Sequence, residues 1–267
     1  MARSKTFLFI LITLSFLFVN MHCSETTTPT TLTPNYSLDG DFNTNLFKAV
    51  LNETPEGENV VISPLSISTV TKMILTGAAG NTEKEIVDAY GNSATKTSLL
   101  ADSEAFLNWL KTRKGQPNIE LSNAFFYDKN NFHPLDGYKQ NVLKYFDVAE
   151  FAEDFSNEDA ALAKLNSWVS NKTKTRIPKV LESIAADEVM FLVNALYLKA
   201  DWAEPFDSNA TSQSDFTLQD GSTVKADFMY ADNQFNYFGD DKLEAIELPY
   251  KDDEISMYFI KSKSNDI

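Results

Sequence analysis

The ten residues from Val189 to Leu198, VMFLVNALYL, restrict the fold of this chain more than any other feature. All of them except Asn194 are apolar or aromatic. Successive side chains of a strand point to opposite faces, so a strand of this composition must be covered on both faces. We therefore predict a central strand with packed elements on both sides, and Asn194 as a buried amide within it.

Helical patterns come mostly before this strand and strand patterns mostly after it, which predicts an α+β fold rather than a doubly wound sheet. The chain has 267 residues, 43% of them hydrophobic, which is enough for a sizeable core. Helices are predicted over residues 42–51, 64–76, a short stretch opened by a capping box at Thr82–Glu85, 99–111, 136–146 and 157–170. Further strands are predicted over residues 59–62, 119–127, 215–218, 224–229, 234–238, 243–248 and 254–260, with a hairpin turn at 251–253.

The first 23 residues have the pattern of a secretory signal peptide. Arg3 and Lys5 precede an apolar run from Phe7 to Val19, which is too short to span a bilayer comfortably. An uncleaved anchor is the alternative interpretation. We predict cleavage near Cys23, a Thr- and Pro-rich linker over residues 24–35, and one domain over residues 36–267 of a secreted, extracellular protein.

Cysteine and histidine are too scarce for most catalytic and metal sites. Cys23 is the only cysteine, so a disulfide framework and a thiolate zinc site are excluded, and we predict no metal or other cofactor. His133 is the only histidine after the predicted signal peptide, and no G-x-S-x-G occurs, which argues against a hydrolase. Four glycosylation sequons are present, at Asn35, Asn52, Asn171 and Asn209.

The net charge of −15 disfavours nucleic acid and anionic membranes as partners. Basic residues cluster at Lys111, Arg113 and Lys114, at the end of a predicted helix. They could bind a glycosaminoglycan, but three cations on so acidic a chain are more typical of a solvated helix end. We therefore do not expect glycosaminoglycan binding there.

Three sequence blocks carry the most specific motifs of this chain. The first block runs from Asn59 through Ser63-Pro64-Leu-Ser66 to Gly77 and Thr82. The second contains Asn194, Lys199, Trp202, Pro205 and Phe206, and the third contains Phe228-Met229, Leu248-Pro249-Tyr250 and Ser256-Met257. In their content and order the three blocks together resemble the serpin family of serine protease inhibitors, and Ala200 stands where that family usually has a glycine. The resemblance implies a serpin fold, with helices packed on a large mixed sheet and a smaller β-rich part.

The resemblance also implies a mechanism without catalytic residues. A protease cleaves an exposed loop of the serpin and becomes acylated, and the loop then inserts into the main sheet and carries the protease with it. The partner would be a secreted serine or cysteine protease. Ser63, Ser66 and Asn194 match the shutter beneath the parting strands, and Trp202 matches the breach where insertion begins. Ordinary structural roles remain open: Ser63 as a helix N-cap, Ser66 as a first-turn side chain, Asn194 as a buried amide and Trp202 as core.

No residue of this chain matches the hinge, the scissile bond or the closing hairpin of a serpin. The resemblance therefore implies an incomplete domain whose full-length form would carry the inhibitory loop. Two alternatives are a non-inhibitory serpin that acts as a carrier, chaperone or storage protein, and an inactive short product.

Overall fold

The computed structural model describes residues 39–55, 57–113, 118–218, 220–251 and 255–263. The predicted signal peptide, the linker, Asn35 and Lys114 lie outside these residues, as do residues 252–253 of the predicted hairpin turn. The helices within the described residues are α1 (Gly40–Glu53), α2 (Pro64–Gly77), α3 (Gly80–Ala89), α4 (Lys96–Thr112), α5 (Asp136–Phe146) and α6 (Glu158–Lys172). The strands are β1 (Asn118–Asp128), β2 (Val148–Glu153), β3 (Met190–Lys199), β4 (Asp207–Thr217), β5 (Thr223–Tyr230), β6 (Asn236–Gly239), β7 (Leu243–Pro249) and β8 (Ser256–Ser262).

The first sheet has the strand order β2-β1-β3 and lies between two layers of helix. β1 runs parallel to β2 and antiparallel to β3. On one face, Phe125 packs in a buried cluster with Met73 of α2, together with side chains of α4 and α5. On the other face, Phe126 packs against Leu165 and Val169 of α6. Helices on both sides explain why the strands of this sheet are apolar on both faces.

The strand predicted from VMFLVNALYL forms, but it is not the central one among the described strands. Its alternate residues contribute to both helix layers, since Leu192 joins the cluster with Met73 whereas Val193 joins the cluster on the α6 side. Within the described residues, however, β3 pairs only with β1, which is the strand in the middle. Burial of both faces needs cover above and below the sheet and does not by itself require a neighbour on each edge.

Two local predictions were wrong, and one strand was missed. Residues 59–62 do not form a strand, because they pair with no other described strand. The capping box predicted at Thr82–Glu85 is absent, since α3 begins at Gly80, its N-cap is Ala79, and Thr82 lies inside the helix. A capping box opens α4 instead, between Thr95 and Ser98. β2 was not predicted at all.

The chain after β3 forms two smaller antiparallel sheets. β4 pairs with β5, and β7 lies between β6 and β8. β4 begins at Asp207 rather than at the predicted residue 215, because Asp207 pairs with Tyr230 and, after a register irregularity, pairing with β5 resumes at Ser212. Large apolar side chains of these sheets are exposed, among them Phe216, Phe228, Met229, Phe238 and Ile260.

Candidate functional site

The start of α2 places two of the predicted shutter residues side by side. Ser63 is buried and lies at the N-cap position, where its Oγ accepts a hydrogen bond from the Ser66 backbone N–H at 3.3 Å. The same hydroxyl donates to Ser66 Oγ at 2.8 Å, and Pro64 occupies the first helical position. The helix start is therefore saturated by local contacts, as expected of an N-cap serine followed by proline.

Asn194, the third predicted shutter residue, is bound to an asparagine that the sequence did not point out. Asn123 lies directly opposite Asn194 in the antiparallel pair of β1 and β3. Asn194 Nδ2 donates to Asn123 Oδ1 at 2.7 Å, and Asn123 Nδ2 donates to the carbonyl of Phe146 at 2.8 Å. A polar residue inside the otherwise apolar part of β1 was the signal that could have identified Asn123.

Asn194 Oδ1 is buried and accepts no hydrogen bond from any described residue. A buried amide oxygen without a donor is unfavourable by about 1–3 kcal/mol. The outer edge of β3 is also unpaired within the described part of the chain. An unpaired strand edge therefore runs alongside a buried acceptor that lacks a donor. The shutter residues lie in two contacting elements, because α2 packs on the face of the sheet to which Leu192 of β3 contributes.

The predicted breach residue, Trp202, lies in a separate cluster after the end of β3. Its ring stacks on Tyr250, with centroids 4.7 Å apart and planes at 12°, and Phe206 contacts it edge-on at 6.2 Å. Two backbone hydrogen bonds connect the segments that carry Trp202 and Tyr250. The Ala203 N–H donates to the Pro249 carbonyl at 2.9 Å, and the Lys251 N–H donates to the Asp201 carbonyl at 3.0 Å. Burial raises the pKa of Tyr250. Trp202 and Tyr250, which belong to two sequence motifs and are 48 positions apart, thus form one aromatic contact.

Among the motif residues, Gly77 has the clearest steric reason for being a glycine. A Cβ at this position would lie 3.0 Å from Cδ2 of the Tyr138 ring in α5. The end of α2 can approach α5 this closely because glycine has no side chain. The other motif residues Asn59, Thr82, Lys199 and Pro205 are exposed.

A buried ion pair beside α2 was missed by the sequence analysis. Lys72 Nζ lies 2.6 Å from Asp39 Oδ2, and their side chains are only 6% and 9% exposed. Ser68 Oγ donates to the same carboxylate oxygen at 2.5 Å, and the hydroxyl of Tyr90 donates to Ser68. A lysine on the apolar face of a predicted helix was the available signal. Burial also raises the pKa of the nearby Asp102, while the charge of Lys72 acts to lower it.

The described residues contain no group of three or more His, Cys, Asp or Glu side chains that could hold a metal ion. His133 is exposed. Among the described helices, none has the length and apolar character needed to cross a membrane.

Comparison with known proteins agrees with this fold and these motifs. The model of the family described as Serpin (serine protease inhibitor) matches residues 37–266. The chain therefore belongs to the serpin family. The family is described as one of serine protease inhibitors rather than of enzymes, and its fold is the α+β architecture described above.

Individual relatives span a wide range of organisms. Human (Homo sapiens) neuroserpin is 32% identical over 234 residues, which cover 84% of this chain and 57% of neuroserpin. Reactive-loop-cleaved human thyroxine-binding globulin superposes with a TM-score of 0.80 at 27% identity, covering 86% of this chain and 68% of that one. Arabidopsis AtSerpin1 in its native stressed conformation gives a TM-score of 0.75 at 28% identity, covering 85% and 60%. The chain thus spans little more than half the length of the curated relatives that it matches.

Proposed function

We propose that this chain is the N-terminal part of a serpin that inhibits a secreted serine or cysteine protease. In the full-length form, cleavage of a reactive loop would form an acyl-enzyme, and insertion of the loop as a strand would trap it. The observation that carries the proposal is the hydrogen bond from Asn194 to Asn123, across the β1–β3 pair on which α2 packs. The outer edge of β3 pairs with no other described strand. A strand that paired there would bring donors near Asn194 Oδ1, which accepts no hydrogen bond from a described residue.

The shutter contacts fit such a role because they are hydrogen bonds between small polar groups. Asn194 bonds Asn123 across the β1–β3 pair, and Ser63 bonds Ser66 beneath the sheet. Groups of this kind exchange partners when strands move, whereas apolar packing would have to be rebuilt. Trp202, stacked on Tyr250, would serve as the breach at the end of β3.

Secretion and glycosylation are part of the proposal. The signal-peptide pattern of residues 1–23 supports export, and residues 24–35 would link it to the domain. Asn52, Asn171 and Asn209 are exposed, so each is accessible to a glycan, and Asn35 is a fourth candidate outside the described residues.

The test begins with the reading frame downstream of the Ile267 codon and uses the protein that it encodes. Incubation with trypsin-like, chymotrypsin-like and papain-like proteases should give a covalent complex that survives SDS with at least one of them. A protease lacking its active-site nucleophile should give no complex. Cleavage of the loop by these proteases without any trapped complex would contradict the proposal.

A matched pair of substitutions in that protein tests the site itself. Asn194→Ala should raise the proportion of protein that is cleaved without trapping the protease, because the hydrogen bond to Asn123 is lost. Asn141→Ala removes an exposed amide of α5 that is not part of a sequon and should leave that proportion unchanged. An unchanged proportion in Asn194→Ala would assign this residue a purely structural role.

A non-inhibitory carrier is the second candidate, because the chain superposes well on thyroxine-binding globulin, a protein named for the ligand it binds. The loop hinge separates the two functions. Small residues there permit strand insertion, whereas bulky or charged residues block it. Thermal unfolding before and after loop cleavage gives the same distinction, since only insertion raises the melting temperature strongly.

A further inference from the structure

A buried ammonium group holds the start of α1 on the rest of the domain. α1 has no buried residue of its own. Its N-cap residue, Asp39, is bound at 2.6 Å by Lys72 of α2, and both side chains are less than one tenth exposed. The backbone of Asp39 is left-handed, with a φ of 44°, which residues other than glycine adopt when further contacts hold them there. The ion pair is such a contact, and Phe42 adds to it by stacking on Tyr90 with ring centroids 4.4 Å apart.

The same ammonium group opposes any release of α1. Lys72 is only 5% exposed, and within the described residues its one ion pair is with Asp39. If Asp39 moved away together with α1, the Lys72 ammonium would stay buried without a counter-ion, which is strongly unfavourable. The ring of Tyr90, 5.1 Å away, carries no charge that could replace the carboxylate. Release of α1 therefore becomes accessible only if a second acidic group can pair with Lys72.

A second carboxylate lies across a small cavity from Lys72. The cavity has a volume of about 30 Å³, and Asp39, Lys72 and Asp102 of α4 are the charged residues among the described ones that line it. Asp102 is partly buried and forms no ion pair with any described residue. Burial raises the pKa of the Asp102 carboxyl, whereas the charge of Lys72 acts to lower it and that of Asp39 to raise it. Two carboxylates therefore face one ammonium group, and only one of them is paired with it.

The size of the cavity determines what can enter it. A water-sized group, such as the ammonium of a lysine, needs about 10–15 Å³. The pockets that hold organic ligands measure about 300–1,000 Å³. A cavity of about 30 Å³ is thus too small for an organic ligand but large enough for the Lys72 ammonium to move into. The available space favours movement of a side chain inside the protein over binding of a small organic molecule from outside.

We propose that Lys72 is a latch with two positions, which pairs with Asp39 while α1 is docked and with Asp102 when α1 is released. The long, flexible side chain of lysine lets the ammonium cross the cavity while the backbone of α2 stays in place. The buried charge is then paired in both states, so α1 can open locally while the first sheet and the helices that cover it stay folded. The exchange involves only residues of this chain, so it goes beyond the proposed inhibition and does not depend on it.

Hydrogen exchange of the 267-residue chain tests the release of α1. Asp39→Asn removes the charge that keeps Lys72 in the docked position, and it should accelerate exchange of the α1 amides at least about tenfold. The amides of α2 and β1 should change by less than about twofold, because Asp102 takes over the pairing. Unchanged exchange in α1, equal acceleration throughout the protein, or failure of Asp39→Asn to fold would each contradict the proposal.

A double-mutant cycle in urea unfolding tests the exchange of partners. In the parent chain, Asp102→Asn should change the unfolding equilibrium constant by less than about threefold, because Lys72 is already paired with Asp39. In the Asp39→Asn background, the same change should raise that constant at least about tenfold, because both carboxylates that line the cavity are then gone. Glu104→Gln removes another carboxylate of α4 and should have the same small effect in both backgrounds.

Two outcomes of the cycle would overturn the proposal. Equal effects of Asp102→Asn in the two backgrounds would show that Lys72 does not change its partner. The coupling between Asp39 and Asp102 should also vanish when the cycle is repeated with Lys72→Met, because the shared ammonium is absent. Coupling that persists in Lys72→Met would assign it to a different contact.

Discussion

The sheet of β1–β3 and the sheets of β4–β8 use the same kinds of side chain but differ in how far they are covered. Phe125 in β1 is 1% exposed, between helices and a neighbouring strand, whereas Phe238 in β6 is 53% exposed. Aromatic content therefore does not distinguish the two regions. What differs is the presence of a second layer, since helices cover both faces of the first sheet.

Ion pairs show the same contrast. Lys72 and Asp39 are almost fully buried, while Lys225 and Asp215, paired at 2.8 Å across β4 and β5, are 65% and 63% exposed. Water competes with the second pair and not with the first. Burial, more than residue type, therefore determines how much a contact contributes to the stability of this protein.

The largest expected effect tests the aromatic side of this comparison. Phe125→Ala should lower the free energy of unfolding by about 3–5 kcal/mol, since it removes a fully buried ring and leaves a cavity. Phe238→Ala makes the same chemical change at an exposed position and should cost less than about 0.5 kcal/mol. Urea unfolding followed by far-UV circular dichroism measures both. Equal losses would mean that β6 is covered in solution, for example by a second copy of the chain.

Removal of one partner from each ion pair gives the next largest difference. Lys72→Met should cost about 3 kcal/mol, because the Asp39 carboxylate remains buried without its counter-ion. Lys225→Met should cost at most about 0.5 kcal/mol. Thermal unfolding at low and high NaCl separates them, since only the exposed pair should weaken with salt. Adding Asp39→Asn to Lys72→Met should recover part of the loss; no recovery would show that the cost came from packing.

Local chemistry explains which parts of this fold the sequence could predict. The helix predicted over residues 136–146 coincides with α5, because apolar spacing and flanking residues define it without help from distant segments. The N-cap role of Ser63 was also readable, since a serine before proline at a helix start needs only its own turn. Membership of the serpin family followed from motifs spread along the chain, and the comparisons confirm it.

Long-range pairing explains what the sequence did not predict. β2 is a short strand that exists because β1 offers it a parallel edge. Asn194 was predicted as a buried amide, but its partner Asn123 is 71 residues away and is chosen by strand register. The Asp39–Lys72 pair likewise depends on how α1 meets α2. Local patterns mark Asn123 and Lys72 as polar residues among apolar ones, but they do not encode which residue each of them binds.

The smallest expected difference concerns close contacts of glycine in the two regions. Gly77→Ala should cost about 1–2 kcal/mol, because the new Cβ would lie 3.0 Å from the ring of Tyr138, which is packed against the core cluster around Phe125. Gly239→Ala would place a Cβ 2.6 Å from Tyr237 Oη, which is nominally closer. Tyr237 is 63% exposed, however, so its side chain can turn into solvent, and the cost should stay below about 0.5 kcal/mol. Urea unfolding of both variants, and of Gly77→Ala combined with Tyr138→Leu, checks this. We expect the two regions to differ because a crowding side chain can move away in one of them and not in the other. A larger loss of stability in Gly239→Ala than in Gly77→Ala would contradict this. So would a cost of Gly77→Ala that stays the same when the Tyr138 ring is removed.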